Sequence, residues 1–467
     1  MKTPSKIKKT LLTVSALALI ATGAVQVHAQ DGVAGISLRD AMAVGIAKNP
    51  EYGVVASSRR ATDAELRQGK ALFLPSIDLR GDTGFEHSDD PGTRGGADPD
   101  DTEDMFRYEI GATLTQLLFD GWDSSNEVKR QKARVQSSAH RVRETAELVG
   151  LSIVESYLEV MRQRQLLTIS RQNVAQHIDI MEQIQDGVSA GRSTQADMEQ
   201  ARARLAQSRA TESSTRQALR TAEALYRREV GEAPGELQLP GVPYQSLTGS
   251  VESEVSQALS HSPTLDIFAA DIAAADAEAD QTKASFYPQL DLQLNARQGE
   301  DLGGVEGVDR SASALVVMNW NLYRGGGDTA RVREFAHRHQ ESKERRGDAV
   351  RQVENDVRSS WASMVASGER AKQFAAQADA NSQVVNAYKD QFSLDRRTLL
   401  DVLDSQNELF VSRSNTINSE FLEMFAIYRL LALKGDLLPT VGVEYPRESV
   451  AAASTKRVER TAWTSNK

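Results

Sequence analysis

The sequence predicts an α+β membrane protein with an internal duplication, in which long helices pack as coiled coils and four β-strands per chain contribute to a barrel. Three observations lead to this fold class. Proline is absent over two very long tracts, landmark residues recur at constant spacings along the chain, and four short segments alternate apolar and polar side chains.

The two tracts without proline predict the long helices. They run from Asp100 to Ala233 and from Gln289 to Leu438, and they are rich in Ala, Gln, Glu, Arg and Leu. Because proline costs about 3 kcal/mol inside a helix, its absence from such a composition is typical of continuous helices. The segment from Trp122 to Asp186 would form a rod of about 97 Å at about 1.5 Å per residue. A seven-residue recurrence of valine predicts coiled-coil packing along it, at Val128, Val135, Val142 and Val149.

The chain repeats itself, with matching landmarks in its two halves. The early landmarks lie 213 residues apart and the later ones 204 residues apart, so the first half has nine additional residues in the loop between its strands. We therefore expect a first structural repeat over 30–235 and a second over 236–439. The matched positions are Asn49-Pro50 with Ser262-Pro263, Leu74-Pro75 with Tyr287-Pro288, Phe119-Asp120-Gly121 with Tyr323-Arg324-Gly325, Asp197 with Asp401, and Gly231 with Gly435.

Four segments show the alternation of apolar and polar side chains that is typical of half-buried β-strands. Each is about 9–12 residues long, the length that a tilted strand needs to cross a bilayer. Four strands cannot close a barrel, because both edge strands would stay unpaired in lipid, so the chain must associate with copies of itself. Two copies would give eight strands and three would give twelve, and two soluble β-hairpins are the rival interpretation. The segments run from Ile77 to Glu86, from Tyr108 to Thr115, from Leu290 to Arg297 and from Ala312 to Leu322.

Composition and charge restrict the compartment and the partners. Residues 1–29 have a basic start, an apolar stretch and the small-residue site Val27-His28-Ala29, which predicts a signal peptide and export. The precursor has a formal charge of −10, so it would repel phosphate backbones and nucleic acid is excluded as a partner. The absence of cysteine excludes disulfides, thiolate metal sites and an N-terminal lipid anchor. Residues 440–467 form a polar C-terminal tail, which we expect to be disordered.

Taken in order, these landmarks resemble the TolC family of outer-membrane efflux and secretion proteins. The resemblance spans about Ser37 to Leu438 and includes Asn49-Pro50, the strand exit Leu118-Phe119-Asp120-Gly121, the duplication and the segment Leu400-Asp401-Val402-Leu403-Asp404. It implies a homotrimer whose twelve-stranded β-barrel lies in outer-membrane lipid and continues as an α-helical coiled-coil barrel, a tunnel through the periplasm of a Gram-negative bacterium. A periplasmic adaptor (membrane fusion) protein and an inner-membrane ABC transporter or RND pump would complete the export path.

The same resemblance implies an aperture at the periplasmic end of the tunnel. Asp401 and Asp404 are three residues apart on a predicted helix and share one face, where three copies would form an acidic ring that attracts cations. Arg397 and Asp197 match a pair that ties adjacent helix pairs together as an aperture latch. Phe392 stands where the founding member has a tyrosine, so the resemblance implies fewer closing hydrogen bonds. An ordinary solvated helix face is the rival interpretation for the two aspartates.

One motif raises the alternative of an enzyme. The segment Gly187-Val188-Ser189-Ala190-Gly191 fits the G-x-S-x-G nucleophile elbow, which requires an apolar strand before the serine and a helix after it. The preceding residues have helical rather than strand spacing, so a turn between two helices explains the segment better. Arg324-Gly325-Gly326-Gly327 lacks the lysine and the spacing of a phosphate-binding loop. We therefore expect no catalytic residue, no cofactor and no metal site.

Three functions stay open on the sequence. The first is the exit duct of a type I secretion system, which would pass a secreted protein, and the missing lipid-anchor cysteine favours it. The second is the same duct in a multidrug efflux system, with small-molecule cargo. The third, of another class, is a soluble periplasmic coiled-coil scaffold whose hairpins never enter lipid.

Overall fold

The computed structural model describes residues 35–89, 93, 102–394 and 396–450. The predicted signal peptide lies outside these residues, as do residues 451–467 and most of the loop between the first two strands. In this part of the chain both halves follow the same order, namely two helices, two strands and two long helices. The helices are α1 (Leu38–Lys48), α2 (Pro50–Ala71), α3 (Asp123–Ser189), α4 (Gln195–Val230), α5 (Val251–His261), α6 (Pro263–Thr282), α7 (Gly327–Ser393), α8 (Leu399–Lys434) and α9 (Leu437–Val441), and the strands are β1 (Ser76–Ser88), β2 (Glu103–Phe119), β3 (Gln289–Leu302) and β4 (Val305–Asn319).

The long helices have equal lengths in the two halves. α3 and α7 each contain 67 residues, and α4 and α8 each contain 36. At about 1.5 Å per residue the longer pair extends roughly 100 Å, close to the rod expected from the proline-free tracts. Val135, Val142 and Val149 are buried, as the coiled-coil pattern requires. Each long helix packs along the shorter helix that follows it, so each half presents one antiparallel helical hairpin.

The four strands form one antiparallel sheet in the order β1-β2-β3-β4, which confirms the four predicted strands. The fourth strand ends at Asn319, so the predicted extension to Leu322 is wrong. Asn319 pairs with Gln289 at the start of β3, and the next partner for Trp320 would be Pro288. Proline has no backbone N–H, so the ladder stops there. Within the described sheet, β1 and β4 each pair on one side alone.

The largest core lies where α1, the middle of α3, the end of α8 and α9 meet. Met42, Ile153, Tyr157, Leu431 and Leu438 are fully buried in it. This core joins the two halves at mid-height, between the sheet and the ends of the hairpins. None of the described helices is both long enough and apolar enough to span a membrane.

The start of the C-terminal tail is ordered, so the expectation of disorder from residue 440 is wrong for residues 440–450. Val443 and Tyr445 pack against the core, and the Tyr445 hydroxyl donates to the buried Glu147 carboxylate. Glu147 also accepts a hydrogen bond from the Leu437 backbone N–H at 3.1 Å. Burial raises the pKa of the Glu147 carboxyl to about 7, and these donors oppose the rise. The sequence did not predict this docking, because the segment is mostly polar and only a few of its side chains, such as Val443 and Tyr445, contact the core.

A buried ion pair fixes the end of α8 to α5. The Lys434 ammonium lies 3.0 Å from the Glu254 carboxylate, and both side chains are almost completely buried. Lys434 also donates to the Ser246 carbonyl at 3.1 Å, and Glu254 accepts from the Thr248 hydroxyl at 2.9 Å. Ser246 and Thr248 belong to the connection between the two halves. The two opposite charges therefore lie in contact, and their hydrogen bonds to Ser246 and Thr248 hold this connection in place.

Candidate functional site at the helix turns

The candidate aperture lies at the two turns that join α3 to α4 and α7 to α8, at the end of the long helices far from the sheet. Both turns lead into a capping box. The Thr194 hydroxyl donates to the Asp197 carboxylate at 2.7 Å, and the Asp197 backbone N–H donates to the Thr194 hydroxyl at 3.1 Å. Thr398 and Asp401 repeat this arrangement at 2.8 Å and 3.3 Å. These boxes satisfy N–H groups that the first helical turn leaves unpaired, so α4 and α8 each begin at a fixed residue.

The G-x-S-x-G segment spans the end of α3 and the start of the first turn. Ser189 is the last residue of α3, and its hydroxyl donates to the Gln185 carbonyl at 3.0 Å. A helix rather than a strand precedes the serine, so the segment lacks the geometry of a nucleophile elbow. Gly191 has a φ of +72°, a left-handed conformation that favours glycine. No group of three or more His, Cys, Asp or Glu side chains that could hold a metal ion occurs within the described ranges.

Asp401 combines a structural contact with a charge at the turn. Hydrogen bonds from the Thr398 hydroxyl and backbone N–H hold the pKa of Asp401 below its ordinary value. The Arg397 guanidinium, four residues earlier in the chain and 3.7 Å from the carboxylate, lowers the pKa further. Asp401 is therefore ionised at neutral pH while it caps α8.

Asp404 has a partner that the sequence did not reveal. Its Oδ1 atom lies 2.9 Å from the Arg204 guanidinium on α4, and the Asp404 side chain stays about half exposed. The contact joins the α3–α4 hairpin to the α7–α8 hairpin of the same chain. Sequence analysis missed Arg204 because a contact between separate hairpins leaves no periodic signal. The Thr-x-x-Asp capping boxes, by contrast, have a local signature that a search for helix starts detects.

The proposed latch residues lie at the turns but do not meet within one chain. The Arg397 guanidinium lies over the Tyr388 ring, 4.2 Å from its centroid, and donates to the Gln391 side chain at 3.1 Å. The Asp197 carboxylate accepts hydrogen bonds from Thr194. A tie between Arg397 and Asp197 stays a prediction, and it would have to join hairpins of neighbouring chains.

Phe392 contributes an apolar contact near the end of α7. It packs against a small cluster that draws α3, α4 and α8 together at the turns, as expected of a ring without a hydroxyl. The cluster consists of Ile180, Ile184, Met198, Ala201, Leu399, Val402 and Leu403.

A buried histidine lies just behind the pair formed by Arg204 and Asp404. His177 on α3 is 5% exposed, and its Nδ1 atom has no hydrogen-bond partner among the described residues. Burial lowers the pKa of His177, and the positive charges of Arg204 and Lys389 lower it further. His177 is therefore neutral at neutral pH and adds no positive charge to the turns.

Each half of the chain has one long helical hairpin and two strands, and the four strands form one sheet. This is the architecture of TolC-like channel proteins. The family described as outer membrane efflux protein matches residues 46–231 and 255–421. The chain belongs to this family.

Individual relatives and solved structures are similar over most of the chain. The outer membrane efflux protein BepC of Brucella suis is 27% identical over 334 residues, which cover 70% of this chain and 72% of BepC. The alkaline protease secretion protein AprF of Pseudomonas aeruginosa is 22% identical over 412 residues, covering 86% and 85%. The outer-membrane channel OprN superposes with a TM-score of 0.76 at 16% identity, covering 85% of this chain and 90% of OprN. The outer membrane protein VceC of Vibrio cholerae gives 0.72 at 14% identity, covering 88% and 97%.

Proposed function

We propose that three copies of this chain form an exit channel in the outer membrane of a Gram-negative bacterium, narrowed at its periplasmic end by the helix turns. The observation that carries the proposal is the sheet, which exposes an apolar face on one side and a charged face on the other. Membership of the outer membrane efflux family supports the export role.

The apolar face of the sheet suits lipid. In a single chain the side chains of Phe85, Leu79 and Ile77 are 90%, 75% and 73% exposed. Leaving such surface in water costs about 25 cal/mol for each Å². An outward apolar band is the expected surface of a membrane barrel. In a soluble scaffold the same band would stay exposed to water, which is unfavourable.

The opposite face of the sheet suits an aqueous lumen. Arg107 pairs with Asp82 at 2.8 Å, and Arg297 pairs with Glu109 at 3.6 Å and with Asp309 at 3.2 Å. These contacts cross all four strands and border an open cavity of 770 Å³. Because charges of this density are costly in lipid, they indicate a water-filled interior.

The free edges of the sheet require partner copies. β1 and β4 would leave unpaired N–H and C=O groups in lipid, where each unpaired group costs several kcal/mol. Pairing β4 of one copy with β1 of the next satisfies both edges. Three copies then give the twelve strands that the family resemblance implies.

For the cargo, we infer an unfolded protein that an inner-membrane ABC transporter delivers through a periplasmic adaptor, as in type I secretion. AprF, named for alkaline protease secretion, aligns over 86% of this chain, whereas BepC aligns over 70%. Multidrug efflux with an RND pump and small-molecule cargo is the second candidate. The sequence identity to BepC, an efflux protein, is 27%, against 22% to AprF, and this difference favours efflux.

Conductance in planar bilayers tests the channel. The purified protein should give discrete conductance steps. Leu79→Arg places a cation on the apolar face, where lipid exposure costs up to about 2–4 kcal/mol, and should prevent insertion. Asp78→Arg introduces the same side chain on the polar face and should still give channels. No conductance from the wild type, or equal loss in both variants, would contradict a lipid-facing sheet.

Gene deletion distinguishes the two classes of cargo. A secretion channel predicts that a protein disappears from the culture supernatant while drug susceptibility stays unchanged. An efflux channel predicts that drug susceptibility rises while the proteins in the culture supernatant stay unchanged.

A further inference from the structure

The contact between Arg204 and Asp404 changes the expected charge of the aperture. We propose that Arg204 is a specificity-determining residue, whose guanidinium neutralises Asp404 and makes the aperture close to charge-balanced rather than acidic. The proposal rests on the proposed function, because it places the helix turns around a pore.

The geometry of the pair supports a direct charge contact. The Arg204 Nη2 atom lies 2.9 Å from Asp404 Oδ1, a distance typical of a charge-assisted hydrogen bond. The two side chains are 31% and 53% exposed, so water and permeating ions reach the pair. The second terminal nitrogen of Arg204 points to the Gln207 side chain at 3.5 Å, which keeps the guanidinium on this face of α4.

The other aperture carboxylate also has a cation beside it. Asp401 lies 3.7 Å from Arg397, so each of the two aspartates expected at the aperture has an arginine beside it. Three copies around one axis would bring equal numbers of carboxylates and guanidinium groups together. The acidic ring expected from Asp401 and Asp404 alone is therefore largely compensated.

The groups behind the pair do not reverse this balance. His177 on α3 is neutral at neutral pH because burial and nearby cations lower its pKa. Lys389 on α7 is directed to the Gln176 side chain. Arg204 is thus the cation in contact with Asp404, and its removal should expose one negative charge in each copy.

The ratio of cation to anion permeability tests the proposal. It is obtained from the reversal potential of channels formed by the full chain in a salt gradient. This potential does not depend on the number of channels. Arg204→Gln should raise the ratio by about threefold, because the freed carboxylates act across a narrow pore within a Debye length of about 10 Å. Arg204→Lys keeps the charge and should keep the wild-type ratio. Adding Asp404→Asn to Arg204→Gln removes both charges and should restore a ratio close to the wild type.

Arg202→Gln is the matched control. It removes the same charge from α4, but Arg202 is two residues from Arg204 and projects from a different face of the helix, where it pairs with Glu199 at 2.8 Å. It should therefore leave the ratio unchanged. If Arg204→Gln conducts normally but its ratio of cation to anion permeability is unchanged or lower, the role of Arg204 is wrong and the proposed function is unaffected. Absence of conductance from the wild type would instead overturn the proposed function.

Discussion

Replacing Lys434 with Met should lower the free energy of unfolding by about 3–5 kcal/mol, because it leaves the Glu254 carboxylate buried without a counter-charge. Both side chains are almost completely buried, and their atoms lie 3.0 Å apart. The pair also holds the connection between the two halves through the Ser246 carbonyl. The shift should appear as a lower urea midpoint for the detergent-solubilised protein.

Lys48→Met provides the matched control for this prediction. Lys48 pairs with Glu232 at 2.5 Å, but both side chains are more than half exposed, so the loss should be at most about 1 kcal/mol. Combining Lys434→Met with Glu254→Gln should recover part of the stability, since the second change removes the uncompensated charge. Equal midpoints for Lys434→Met and Lys48→Met would show that the Lys434 pair does not stabilise the fold.

The double variant Asp401→Asn and Asp404→Asn should give the channel a preference for anions. With both carboxylates removed, Arg397 and Arg204 stay uncompensated in each copy. We expect the ratio of cation to anion permeability to fall about tenfold, because several cations then act across a narrow pore. Asparagine is the suitable replacement, since its side-chain oxygen still accepts from Thr398 and preserves the cap of α8.

Glu199→Gln is the corresponding control, because this carboxylate lies on α4 and pairs with Arg202 of the same helix. It should leave selectivity unchanged. If the double variant keeps the wild-type ratio while it conducts normally, Asp401 and Asp404 do not line the aperture. The assignment of the pore to this end of the hairpins would then be wrong.

Features that depend on neighbours in the sequence could be predicted before the structure was known. The long helices follow from the absence of proline. The strands follow from a two-residue alternation, although the alternation continues to Leu322, beyond the point where Pro288 ends the ladder. The helical spacing of the residues before Ser189 predicted that Gly187 to Gly191 joins two helices and is not a nucleophile elbow. The capping boxes at Thr194 and Thr398 were equally local, and a search for helix starts would have detected them.

Features that depend on contacts between distant segments could not be predicted in this way. Arg204 and Asp404 lie on different hairpins, and Tyr445 reaches Glu147 across most of the chain. Neither contact leaves a period or a motif, because each depends on how complete helices pack. The sequence analysis therefore placed Asp401 and Asp404 near the second helix turn but missed the arginine that contacts Asp404, and it missed the docking of residues 440–450.

The central claim is that one chain supplies a third of a closed channel, because its sheet has four strands and two unpaired edges. Native mass measurement of the detergent-solubilised wild-type protein tests this claim most directly. The account predicts a complex with the mass of three copies. A stable monomer as the main species would contradict it, because a single four-stranded sheet would leave β1 and β4 unpaired in lipid.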